Sequence, residues 1–380
     1  MSKFLLVPLG KVISHRKEFI NIDDDIRYKR CRVQAHARGI ILRDQIEGFQ
    51  IRTKKQQVCR SNELLVAEID AKVGGYGIVP PKLDEAIVSS HYFLYSIDES
   101  KVDVSFLGYF LRTHQFYDQV KAKGTTNYAA IRASDVLTYK IPLPPLTEQR
   151  RIVAKINALA TRIDETRKLR EEIQQDAQAM LHSAFQQVIE GAEYQPMADV
   201  APIVRRKVEI KMDGEYPELG VRSFGKGVFH KPTLIGAELD WQKLYCIHSG
   251  DLVISNIKAW EGAIAVAREK DHNRVGSHRY ITCMPQESIT TADFLCFYLL
   301  TYEGIGQIQA ASPGSADRNR TLAMKRLEKI KVPIPDYDKQ LWFNRLQQKV
   351  AAIQQAQAGN QTELDALLPA ILDRAFKGEL

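Results

Sequence analysis

The 380-residue sequence contains no run of 18 consecutive apolar residues, so it offers no helix able to span a bilayer. Its five cysteines (Cys31, Cys59, Cys246, Cys283 and Cys296) are scattered, odd in number and free of any Cys-x-x-Cys pair. That pattern argues against a disulfide framework or a structural zinc site and fits a reducing, cytoplasmic setting. There is no Gly-x-x-x-x-Gly-Lys-Ser/Thr to cradle a triphosphate and no Gly-x-Gly-x-x-Gly opening a helix. The start, Met-Ser-Lys-Phe-Leu-Leu-Val-Pro-Leu-Gly, is too short and soon too polar for a secretory signal. The most telling absence is local: from Leu146 to Glu190 there is neither glycine nor proline.

Pro142, Pro144 and Pro145 forbid helix before Leu146, because each fixes φ and lacks a backbone donor. Thr147 is then the expected cap, with Glu148 in the positive first turn. Ile152, Ile156, Leu159, Ile163, Thr166, Ile173, Ala177, Met180 and Ala184 follow at alternating four- and three-residue spacing, interrupted at Arg170, and Gly191 marks a stop. About 44 residues at ~1.5 Å each make a rod of roughly 65 Å, which needs a second helix beside it. Residues 332–380 supply one. A shift of 191 sets Ile141 on Val332, Pro142 on Pro333, Pro144 on Pro335, Gln149 on Gln340 and Ile152 on Phe343. This is an internal repeat.

The segments ahead of the two rods repeat as well. Asn62-Glu-Leu-Leu-Val-Ala-Glu-Ile aligns with Gly250-Asp-Leu-Val-Ile-Ser-Asn-Ile, Ser89-Ser-His-Tyr with Gly276-Ser-His-Arg, and Phe106–Arg112 with Phe294–Leu300. Leu64–Ile69 and Ala86–Tyr95 read as strands, and Val104–Val120 as one helix with an apolar face. The expected fold is α+β: two similar mixed α/β domains separated by an antiparallel pair of long coiled-coil helices. The expected boundaries are 1–140, 141–191, 192–331 and 332–380. Net charge is +7, and residues 1–145 hold most of the excess, with 22 Lys and Arg against 16 Asp and Glu. A polyanion partner is permitted by this charge but not required.

The Ile141-Pro-Leu-Pro-Pro-Leu-Thr-Glu-Gln-Arg-Arg-Ile-Val stretch, the Lys123-Gly-Thr-Thr loop ahead of it and the half-repeat layout resemble the specificity (S) subunit of a type I restriction-modification system. The resemblance implies two target-recognition domains, each reading one half of a bipartite, asymmetric site in double-stranded DNA. It implies docking of methyltransferase (M) subunits, two of them, and of restriction (R) subunits. It implies no catalysis by this chain and no cofactor of its own: S-adenosylmethionine, ATP and magnesium belong to the partners. In the second copy Asp336-Tyr-Asp-Lys-Gln-Leu-Trp-Phe replaces Pro145-Leu-Thr-Glu-Gln-Arg-Arg-Ile, a departure from the family's pattern.

No catalytic constellation stands against that reading. Neither Pro80-Pro81 nor Pro144-Pro145 follows Asn or Asp or precedes an aromatic, as an amino-methyltransferase element requires, and Glu68-x-Asp70-x-Lys72 is a common charge triplet. Groove reading needs donors and acceptors on loops, with cations for phosphate. The first domain offers Lys72, Tyr76, His91, Lys123, Thr125, Thr126, Asn127 and Tyr128, with Arg38 among further cations. The second offers Lys258, Trp260, His278, Arg279, Ser312, Arg318, Asn319 and Arg320, with Arg222 and Lys226 beside them. Leu143, Leu146, Glu148, Gln149 and Gln340 are the candidates for partner docking, although the same lead-in to the helix could pack on its own domain. The rival reading is a non-enzymatic coiled-coil scaffold that binds proteins and not DNA; a self-contained methyltransferase or nuclease is the other.

Overall fold

The computed structural model describes residues 3–120, 130–239, 243–314 and 320–380. Contacts divide the chain into two compact units, Met1–Glu171 with Gln357–Leu380, and Glu172–Ala356. The division falls inside the helix Leu146–Ile189, whose first part belongs to one unit and whose second part belongs to the other.

The head of the first unit closes on itself where Leu6–Pro8 pairs antiparallel with Lys140–Pro142. Between them lie a four-stranded sheet, in the order Ile13–Arg16, Tyr92–Ile97, Leu64–Ala67, Tyr76–Ile78, and a five-stranded one. The latter runs Phe19–Asn21, Lys55–Val58, Ile87–Val88, Arg27–Val33, Ile40–Glu47, with a single parallel contact at Arg30 and Ile87. Leu64–Ala67 is buried along its whole length because alternate side chains serve two cores. Leu64 and Val66 join Tyr95, Phe106 and Phe110, while Leu65 joins Cys31, Val79 and Leu94.

The second unit repeats the plan strand for strand. Glu193–Pro196 pairs with Lys331–Ile334, and sheets of four and five strands follow in the same order, again with one parallel contact, Glu218 with Val275. Leu252–Ser255 is fully buried for the same reason: Leu252 and Ile254 face one core and Val253 another. The heads register at an offset of 188, since Tyr92 opposes Ala67 as Tyr280 opposes Ser255.

Buried glutamines repeat too. Gln149 Oε1 accepts from the Asp103 amide at 2.8 Å, and its Nε2 donates to the carbonyls of Lys101 (3.0 Å) and Pro144 (2.8 Å). Gln340 Oε1 accepts from Thr290 Oγ1 at 2.9 Å and the Thr291 amide at 3.3 Å, and its Nε2 donates to Ile289 and Pro335 carbonyls, both at 2.9 Å. Asp103 and Thr291 are the caps of the helices Val104–Phe110 and Ala292–Leu300. Each glutamine thus ties the start of a long helix to the start of a helix in its own head. Gln119 and Gln307 do the same for the closing strands: each amide exchanges hydrogen bonds with the backbone of Lys140 or Lys331.

In the first unit Ile152 and Ile156 share the core with Leu372, Ala375 and Phe376 of the helix Gln361–Lys377. Arg151 donates to the Leu380 carbonyl and Arg167 pairs with Asp365 at 2.9 Å, so the two helices run antiparallel there. In the second unit the Phe185 ring lies 5.3 Å from both Phe294 and Phe343.

Several local expectations are corrected. The long helix begins at Leu146, one residue before the expected cap: the Pro145 carbonyl accepts from Glu148 and Gln149, and Thr147 lies in the first turn. The last segment is two helices, Tyr337–Gly359 and Gln361–Lys377, broken where Gly and Asn adjoin, both poor in a helix interior. Val104–Val120 is likewise two short helices, because the Thr113 hydroxyl accepts from Phe116 and opens a new one. Ala86–Tyr95 splits into strands of different sheets at the turn before Tyr92.

Candidate nucleic-acid interface

On each head three connections meet at one edge. In the first, Asp70–Val73 forms a tight turn ending on Gly74, whose φ of +81° suits glycine. The tip of the hairpin joining Arg27–Val33 to Ile40–Glu47 docks on it: the His36 amide donates to Val73 (2.7 Å) and the Ala37 amide to Gly74 (2.9 Å). The approach leaves no space for a side chain, since a Cβ on Gly74 would stand 2.7 Å from the Ala37 nitrogen. His36 and Ala37 themselves hold left-handed backbone, a strain offset by those two bonds. The Glu68 amide donates to the His91 carbonyl, and the Glu68 carbonyl accepts from the Ile131 amide, which brings the turn before Tyr92 and the chain after the 121–129 segment to the same edge.

The second head reproduces every one of these bonds. Phe224 donates to Glu261, Gly225 to Gly262, Asn256 to Arg279, and Leu322 to Asn256, at 2.7–2.9 Å. The side chains differ. Trp260, at the place of Lys72, has Lys258 Nζ 5.2 Å and the Arg320 guanidinium 5.1 Å from its ring centroid, which makes a flat surface backed by two cations. Lys258 also pairs with Glu261 at 2.7 Å, and this hydrogen bond, with a further one from Ser223, holds the Glu261 carboxyl below the usual range. Arg205 lies 3.5 Å over the Tyr245 ring and donates to the Tyr280 carbonyl at 2.6 Å, bracing the turn that exposes His278 and Arg279.

Lys72, His91, Lys258, Trp260, His278, Arg279 and Arg320 therefore gather on corresponding edges of the two heads. Their equivalences change, however. The hydrogen bonds place His91 with Arg279, so His278 matches Ser90 and the two histidines are not a duplicated pair; both also sit on turns and not in strands. His91 Nδ1 contacts Glu68 Oε2 at 2.8 Å. Tyr76 is corrected to a core residue, 1% exposed, because its position in the short strand points inward onto Phe116. Ser312 is buried as well, its hydroxyl donating to the Ile308 carbonyl one helical turn back. Lys123, Thr125, Thr126, Asn127, Tyr128, Arg318 and Asn319 lie outside the described residues.

The docking candidates separate similarly. Gln149 and Gln340 are fully enclosed, with both ends of each amide engaged inside their own heads, so neither offers a surface to a partner. Leu143 packs on the core of its own head. Leu146 and Glu148 are half-buried, and Glu148 is paired with Arg151 at 2.7 Å, which lowers its carboxyl's pKa. The residues missed are His36 and Phe224 at the hairpin tips, Phe224 being 73% exposed. Their signal was present: Ala35-His-Ala-Arg-Gly and Ser223-Phe-Gly-Lys-Gly are turn sequences between strand runs, and Arg38 and Lys226 are exposed at matching places in them.

Among the described residues no helix is long and apolar enough to cross a membrane, and no group of three or more His, Cys, Asp or Glu is placed to hold a metal ion. Residues 17–175 match the family model described as the type I restriction modification DNA specificity domain. No curated protein sequence matches the chain. Among solved structures, an HsdS subunit from Thermoanaerobacter tengcongensis is 25% identical, with a TM-score of 0.65 over 99% of this chain and 97% of that one. A chain from a study of complex assembly and conformational transition in the type I R-M system, also 25% identical, reaches a TM-score of 0.71 over 99% of this chain and 98% of its own length. With residues 17–175 matched by the domain model and nearly its whole length by both structures, the chain carries a type I restriction-modification DNA specificity domain and is similar throughout to the specificity subunits of such systems.

Proposed function

We propose that this chain selects DNA for a type I restriction-modification complex by presenting two unlike reading edges on two like heads. The observation that carries the proposal is the duplicated backbone edge with divergent side chains: the same four hydrogen bonds support Lys72 and His91 in one head and Trp260 and Arg279 in the other. A common frame with different groove-facing residues suits two short half-sites of different sequence. The flexible cations of the first edge are suited to phosphate, and the Trp260 surface to sugar or base. The site residues are accordingly those cations and rings, with the hairpin tips added.

In this reading the chain makes and breaks no bond. It binds double-stranded DNA and docks two methyltransferase subunits, with restriction subunits joining them in the cytoplasm. S-adenosylmethionine, ATP and magnesium act on those partners. The continuous helix and its partners fix the number of base pairs between half-sites. The test is to replace residues 1–140 with those of a relative, express the chimera with its M subunit, and map methylated adenines by sequencing. One half-site should change and the other remain. A change in both, or in neither, defeats the proposal.

A further inference from the structure

The hairpin tip of the second head carries a ring that none of that unit's cores takes in. Phe224 is 73% exposed, and its backbone lies in the left-handed region at φ +62°. Of the described non-glycine residues at positive φ it alone has a bulky hydrocarbon side chain; the rest are Ala, Ser, Asn, Glu and His. Such a side chain is strained there, and the strain persists only where the surroundings impose it. Glycine would hold the same backbone without strain, so an exposed phenyl ring at this place needs a reason outside the fold.

The tip is clamped. Besides the bonds from Phe224 to Glu261 and from Gly225 to Gly262, the Arg222 amide donates to the Gly227 carbonyl at 2.9 Å and Ser223 Oγ to Glu261 Oε2 at 2.9 Å. Gly225 sits so close to Leu300 that a Cβ on it would stand 2.8 Å from a methyl carbon. The ring is thus held outward on fixed backbone, and little order remains to be imposed when it is buried by a partner. Its surroundings are cationic. Lys226 Nζ lies 5.8 Å from its centroid, and the adjoining turn brings Lys258 and Arg320 to Trp260. The acid among them, Glu261, is engaged by Lys258 and Ser223. An apolar ring among cations fits a polyanion with an apolar interior, which is stacked bases behind phosphates. A phenyl ring has no donor or acceptor with which to read a base edge, so its complement is a base face. The first head presents His36 at the same place on the same backbone, at φ +60°, with a ring that can also hydrogen-bond.

We propose that Phe224 is a wedge: when the second head binds its half-site, the ring enters one base step and unstacks it, with Lys226 on a flanking phosphate. Apolar side chains, Phe and Leu among them, open base steps in this way, and stacking of the ring on a base offsets the cost. The ease with which that step opens then contributes to selection without any hydrogen bond to it. The inference rests on the DNA-reading function proposed above and adds how the second head engages its half-site.

The test uses the full chain in complex with its M subunit and the duplex defined by methylation mapping. 2-Aminopurine, a base that brightens when unstacked, is placed at one position at a time in the half-site that stays unchanged when residues 1–140 are exchanged, the methylated adenine left out. One step should brighten severalfold on binding. Phe224→Gly, which removes the ring and the strained conformation together, should abolish that signal and weaken binding about fivefold or more without lowering the melting temperature of the chain. A lowered melting temperature would mean that the ring serves the fold, and it counts against the wedge. Phe224→Leu, a smaller apolar wedge, should keep the signal. Binding with no brightened position, or an unchanged signal and affinity in Phe224→Gly, overturns the wedge and leaves the DNA-reading function standing. Absence of any duplex binding by the complex overturns both.

Discussion

Trp260 and Lys72 occupy one place in two copies of one turn, and their difference has a measurable consequence. Base–aromatic stacking is worth about 1–3 kcal/mol. Trp260→Ala should therefore weaken binding to the cognate duplex by roughly five- to 150-fold through contacts made by the second head, read by fluorescence anisotropy. Unchanged affinity would remove Trp260 from the interface. Lys258→Gln should lower the slope of log affinity against log salt by about one, as loss of one phosphate contact does. Residue types were legible in the sequence at this scale, but burial was not. Tyr76 and Ser312 looked like polar loop residues. Strand parity turns the first inward, and helix backbone takes up the second's hydroxyl. A one-residue difference in alignment paired His91 with His278, and only the bonds to Glu68 and Asn256 gave the true match.

Among the elements, the glutamine ties set how each long helix meets its head. Gln149→Leu would leave the Asp103 amide and two carbonyls unsatisfied, and Gln340→Leu the Thr291 amide, the Thr290 hydroxyl and two carbonyls. Each should destabilise its own unit by about 2–4 kcal/mol, seen as early hydrogen exchange in that unit with the other unit unaffected. Equal loss in both units would mean the ties are not local. The sequence revealed these glutamines through the 191-residue shift, because repetition marks a position without stating its role. Their burial followed from packing that no periodicity encodes. Helix existence was readable from spacing, while the break at Gly359–Asn360 and the start at Leu146 depended on local backbone chemistry.

For the whole molecule, the two copies share a frame and differ in the side chains of the edge proposed to read DNA. The heads match at an offset of 188 up to Gln119 and Gln307, and the chain resumes at an offset of 191 by Ile131 and Leu322. The second copy therefore has three more residues in that one connection, and the frame on either side is preserved. Duplication was legible at sequence level because strand runs, proline lead-ins and glutamines all recur; which backbone bonds recur was not. Inserting four residues into the long helix adds roughly 6 Å, about two base pairs of rise. Methylated-site mapping should then return both half-sites with an altered gap. An unaltered gap would show that this helix does not set it.

The fastenings at Gln149 and Gln340 carry no charge. An amide neither titrates across the physiological range nor responds to a screening ion atmosphere. Grip on a polyanion weakens steeply as ions are added, but the joint between a head and its rod does not. A wash of concentrated salt should strip the chain from its target and leave each head seated, ready to bind again on dilution.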